Sequence, residues 1–194
     1  MKKCPVSRGT GERVVVADQA TDTMIQEHDL DLDQCEGHKG GNDILHRTRS
    51  DIALDIPAAF PAVGSGRVET NTFSAEFGRF FEYGIENRTR EIAEAGVTQE
   101  TAEAPSTPDH PRHLLGTVGP GTELPALRHA PHPLLSEHHQ QCAYGLMTEG
   151  VDAVLIETDQ DLWQPRQPSS GSNGPVRPCP RSTNLFPNRP QRRS

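Results

Sequence analysis

The chain encodes an α/β domain built on parallel strands, and three observations carry that expectation. Short runs rich in β-branched residues alternate with stretches of helical apolar spacing, in the order strand, helix, strand, helix, strand, helix, strand. Such alternation implies parallel strands joined by right-handed crossovers. The runs Arg13–Asp18 (RVVVAD) and Val151–Thr158 (VDAVLIET) are close to continuously apolar, as strands buried on both faces are. Several strands end in polar residues: Asp18; Thr70, Asn71 and Thr72; Thr117; Glu157 and Thr158. In parallel α/β folds that end is where ligands bind.

Element by element, residues 1–12 read as a polar, flexible lead-in, Arg13–Asp18 as the first strand and Thr21–His28 as a short helix. Leu30–Gly41 is acidic and then Gly-rich, which predicts a loop. Ser50 and Asp51 are suitable N-caps for a helix from Ile52, with Ile56, Ala59, Phe60 and Val63 at helical spacing. Pro57 and Pro61 fall inside that pattern. An interior proline costs ~3 kcal/mol or more, so this helix is expected to be kinked, short or partly unformed. Val68–Phe73 (VETNTF) reads as the second strand. Phe77–Ala104 is the most helical stretch, with Gly96 as its expected break. Leu114–Val118 starts the third strand and Leu134–Glu149 is the third helical pattern. Beyond Trp163 the composition turns to Pro, Ser, Arg and Asn, too polar to offset the entropy of ordering, and residues 165–194 are expected to form a disordered tail.

Of 194 residues, 32% are hydrophobic, and Gly and Pro number 17 each. Short or interrupted elements and a core confined to the middle of the chain follow. The net charge is −8, with six Arg and no acid after Gln164, so the preceding body is strongly acidic. An acidic body repels phosphate and excludes a nucleic-acid-binding surface. No stretch approaches the ~20 apolar residues of a membrane span. The four Cys (Cys4, Cys35, Cys142, Cys179) form no CxxC pair. With no apolar signal segment, a cytoplasmic protein with reduced thiols is the expectation. Neither GxGxxG nor GxxxxGK[ST] follows a strand, so a nucleotide-binding sheet has no support.

The segments RVVVADQATDTMIQEHDLDLDQCEG, NDIL, VETNTFSAEFGRFFEYGIENRTREIAEAG, LLGTVGPGTELPALRHAP and GVDAVLIETDQDLWQ occur in that order. Together they resemble the homocysteine S-methyltransferase family, specifically the homocysteine-binding module that opens cobalamin-dependent methionine synthases. The resemblance runs from Arg13 to Gln164, so residues 13–164 are expected to form one partial barrel domain. It implies a (β/α)8 TIM barrel, of which this chain supplies about the first four βα units, whereas closure takes all eight. It also implies methyl transfer to the homocysteine thiol, giving methionine. In the complete family enzyme zinc holds the thiolate, which is the nucleophile, and methylcobalamin donates the methyl group. The family's zinc-binding Cys lie in later strands, beyond the end of this sequence. No metal or cobalamin is therefore expected in this fragment, no catalytic residue is assigned, and activity alone is not expected.

What the resemblance carries over is the amino-acid-binding side: Asp18 and Glu157 near the substrate ammonium, Thr70, Asn71 and Thr72 at the second strand's end, and Gly119 and Gly121 in the turn after the third strand. The first-strand turn departs from the family's Gly-containing pattern, with Gln19 and Asp22 in place of glycines. Without the resemblance, Asp18 and Glu157 read as solvent-exposed strand-end acids. His138, His139 and Cys142 form a candidate metal cluster on a helix, although nine His in one chain make accidental proximity common. His110, His113, His129 and His132 read as solvated loop residues. A non-catalytic alternative is a half-barrel that dimerises or pairs with a separate C-terminal half, since open sheet edges invite pairing.

Overall fold

A computed structural model of the chain describes residues 21–62, 65–103, 113–158 and 182–184. The expected strand Arg13–Asp18, with Asp18 itself, lies outside them, as do residues 1–12, His110 and all of the expected tail except 182–184. The elements are α1 (Thr21–Gln26), α2 (Leu45–Thr48), α3 (Ser50–Ala62), β1 (Arg67–Glu69), α4 (Phe77–Tyr83), α5 (Thr89–Glu103), β2 (His113–Val118), α6 (His132–Thr148), β3 (Ala153–Glu157) and β4 (Ser182–Asn184). The strands form one sheet in the order β1-β2-β3-β4, every neighbouring pair parallel. Strand β4 falls within the stretch read as a tail and pairs Leu155–Glu157 with Ser182–Asn184. No helix among the described residues is long and apolar enough to cross a membrane.

Register fixes which side chains share a face. Leu115 pairs with Ala153 and Thr117 with Leu155. Side chains alternate along a strand, so Leu115, Thr117, Ala153, Leu155 and Glu157 lie on one face. There Leu115, Ala153 and Leu155 form their own buried cluster. The opposite face meets the helices: Val118 joins a core with Phe80, Ile92, Val97, Cys142 and Leu146. A third cluster, around Ile25, Cys35, Leu45 and Ile56, seats α1, α2 and α3.

Helix expectations are corrected at two places. The Pro-containing segment is neither short nor unformed but one α-helix of 13 residues, Ser50–Ala62, running through Pro57 and Pro61. Burial of Ile52, Ala53 and Ile56 outweighs the local preference. The stretch from Phe77 is two helices, and Gly84 separates them, not Gly96. Gly84 has φ 68° and caps α4 with its N–H on the carbonyls of Phe80 and Phe81, a conformation that costs glycine nothing. Gly96 lies inside α5, where a Cβ would stand 3.0 Å from Thr72 Cγ2. Its role is close packing onto the end of β1. Two smaller differences are a 3-10 turn, Leu32–Cys35, within the expected loop, and His113 as the first residue of β2, 3.5 Å from Asp152 Oδ2.

Candidate functional site

Asp18 lies outside the described residues; Thr70, Asn71, Thr72, Thr117 and Glu157 follow or end β1, β2 and β3 at the C-terminal edge of the sheet. The backbone ladder between β1 and β2 ends where Thr70 N–H donates to the Leu115 carbonyl at 2.9 Å. Side chains then take over. Thr70 Oγ1 accepts from Thr117 N–H at 2.9 Å, and Thr72 Oγ1 donates to the Thr117 carbonyl at 2.7 Å. The two hydroxyls lie 2.6 Å apart, so Thr70 donates to Thr72. Both threonines are buried, and their hydroxyls are spent on the neighbouring strand. Asn71 is also buried and donates from Nδ2 to the Asn42 carbonyl at 2.8 Å.

The turn after β2 is shaped by backbone and acid. A Cβ on Gly119 would stand 2.4 Å from the Phe73 carbonyl, and one on Gly121, whose φ is +77°, 2.8 Å from Glu76 Oε2. These glycines let the turn close onto residues 73–76. Glu76 is the N-cap of α4, accepting from Gly78 N–H at 2.6 Å and Arg79 N–H at 2.9 Å. Burial raises its carboxyl pKa against the pull of those amides.

Glu157 ends β3, half-buried, and its carboxyl is raised first by burial and then by the charge of Asp22. Asp22, at one of the positions where the first-strand turn departs from the family pattern, accepts from Asn42 Nδ2 at 2.8 Å. Asp43 is wholly buried. Its Oδ1 accepts from Ser74 N–H at 3.2 Å, its Oδ2 has no hydrogen-bond partner, and burial pushes its pKa up to about 7. Of Glu76, Glu157 and Asp43, only Glu157 is partly exposed; Asp43 and Glu76 are buried, and Glu76 spends both oxygens on the backbone amides of α4. Nothing in the four letters NDIL signals that Asp43 is buried, so the acid has no role legible in the sequence. Glu76 carried a readable signal, an acid just before Phe77 at a helix start.

A family model for homocysteine S-methyltransferase matches residues 15–166. The chain belongs to the homocysteine S-methyltransferase family. Methionine synthase of Mycobacterium leprae (strain TN) is 37% identical over 163 residues, covering 83% of this chain and 14% of that protein. Methionine synthase of Mycobacterium tuberculosis (strain ATCC 25618 / H37Rv) gives the same identity and the same shares. The chain thus spans about one seventh of the length of these curated relatives. Among solved structures, the metallated form of the homocysteine methyltransferase MmuM from Escherichia coli has a TM-score of 0.67 at 14% identity, covering 87% of this chain and 62% of that one. Its apo form has a TM-score of 0.63 at 13% identity, covering 94% and 64%. The structural likeness is one of α/β fold.

The family implies zinc, and the described residues do not fit it. A zinc–thiolate site needs ionisable sulfurs converging with other donors. Cys142 lies in the helix-facing core with its thiol pushed up to about 12 by burial, and Cys35 belongs to a separate apolar cluster. His139, of the candidate cluster on α6, is buried with Nδ1 2.8 Å from the Leu135 carbonyl, and His138 packs on Phe77 with ring centroids 4.6 Å apart. Among the described residues no group of three or more His, Cys, Asp or Glu is placed to hold a metal ion.

Proposed function

We propose that this chain supplies the amino-acid-recognition side of a homocysteine S-methyltransferase module, in which a methyl group passes to the homocysteine thiol to give methionine. In this reading β1, β2 and β3 are consecutive strands of a (β/α)8 barrel. Glu157 receives the substrate ammonium at the rim, and the family resemblance gives Asp18, which lies outside the described residues, the same task. The observation that carries it is Glu157: a half-buried carboxylate at the C-terminal end of β3, on the face shared with Leu155, in a chain of a family named for homocysteine. Thr70, Asn71, Thr72, Gly119 and Gly121 build the rim and hold its shape. Thiol activation by zinc and methyl donation by cobalamin are assigned to none of the described residues.

Calorimetric titration of the chain with L-homocysteine tests the reading. A charge-assisted bond to ammonium is worth roughly 1.5–3 kcal/mol, so Glu157→Gln should weaken binding about tenfold to a hundredfold. Equal binding by the variant and the original chain would sink it.

A further inference from the structure

The loop that leaves β1 is held by two residues adjacent in sequence. Asn71 Nδ2 donates to the carbonyl of Asn42 at 2.8 Å, and Ser74 N–H donates to Asp43 Oδ1 at 3.2 Å. The same pair reaches the other way: Asn42 Nδ2 donates to Asp22 on α1 at 2.8 Å. The next residue, Ile44, is fully buried in the helix-facing core, which fixes the pair in place. Asp43 is costly where it stands. It is 1% exposed, and Oδ2 has no hydrogen-bond partner. An unsatisfied buried carboxyl oxygen lowers stability, so stability alone does not account for an acid at this position.

We infer that Asp43 is the positioning residue of the substrate rim, its Oδ1 fixing Ser74 so that the loop Thr70–Ser74 keeps the shape that meets the ligand beside Glu157. This inference rests on the recognition reading above. What the rim requires of position 43 is an acceptor at Oδ1, not a charge. Asparagine supplies that acceptor and alanine does not.

The test uses the whole chain with two variants and two readouts: site-resolved amide exchange at Ser74 and the calorimetric Kd for L-homocysteine. Loss of one hydrogen bond to a buried amide is worth about tenfold. Asp43→Ala should therefore speed Ser74 exchange and weaken homocysteine binding by about that factor, while the Leu155 amide, deep in the sheet, stays unchanged. Asp43→Asn should restore both values to within about twofold of the original. The inference is overturned if Asp43→Ala leaves both readouts unmoved, or if Asp43→Asn loses affinity as alanine does, which would make the charge the operative feature. An original chain that takes up no homocysteine overturns the recognition reading and the ligand half of this inference. The Ser74 exchange rates then decide the clamp by themselves.

Discussion

Replacing Asp43 by Asn should stabilise the fold, and by more as the pH rises. In the folded chain burial pushes this carboxyl up to about 7 from an ordinary value of 3.8. The folded state therefore holds the proton more tightly than the unfolded state does. Stability contributed by the neutral carboxyl is fully present below pH 3.8, falls as the pH climbs through the interval, and is gone above about 7. At about 1.4 kcal/mol per pH unit, the penalty carried by Asp43 grows from roughly 1–2 kcal/mol at pH 5 to roughly 3–5 kcal/mol at pH 8. Asparagine keeps the acceptor for Ser74 N–H and has nothing to ionise, so it escapes that penalty. Urea unfolding of both chains at pH 5, 6, 7 and 8 measures the difference directly. The gap between the two stabilities should widen by roughly 2–3 kcal/mol across the range. Parallel pH profiles would show that Asp43 does not change ionisation on folding, and the argument from its burial would be wrong.

Two further outcomes follow from the packing. Gly121→Ala combines a φ of +77° with a Cβ 2.8 Å from Glu76 Oε2. It should cost about 1–3 kcal/mol, read as a lowered urea midpoint, and an unchanged midpoint would contradict the left-handed turn. Cys142 is buried with its thiol pushed up to about 12. Iodoacetamide at pH 8 should leave its peptide unmodified in the native chain and alkylate it after unfolding. Rapid native labelling, followed by mass spectrometry, would place the thiol outside the core.

The α/β alternation and two of the strands were legible because β-branched runs and helical spacing are local properties, whereas the strand expected over Val68–Phe73 is only Arg67–Glu69, its polar end leaving the ladder for side-chain bonds, and Ser182–Asn184 is a strand within the expected tail. His113–Val118 and Ala153–Glu157 fall within a residue or two of their expected positions. The helix boundaries around Pro57, Gly84 and Gly96 were not, because they depend on neighbours distant in sequence. Gly96 looks like a breaker until Thr72 is seen beside it, and Gly84 becomes one through its φ. Strand-end position was legible for Thr70, Thr72, Gly119 and Gly121, but their local roles were not: their hydroxyls and close approaches serve Thr117, Phe73 and Glu76. Asp43 went unassigned because the burial of an acid is decided by tertiary structure.

The threonine pair that succeeds the β1–β2 ladder has a consequence for how this edge tolerates change. Thr70 and Thr72 satisfy Thr117's amide and carbonyl with hydroxyls in place of main chain. The main chain of Thr117 is therefore satisfied past the point where the backbone ladder ends. The hydroxyls act as a hem that keeps the ladder from opening back along the strands. Serine would preserve the hem, with its hydroxyl in place. Valine, of the same shape and without a donor, would let the seam travel inward toward Leu115.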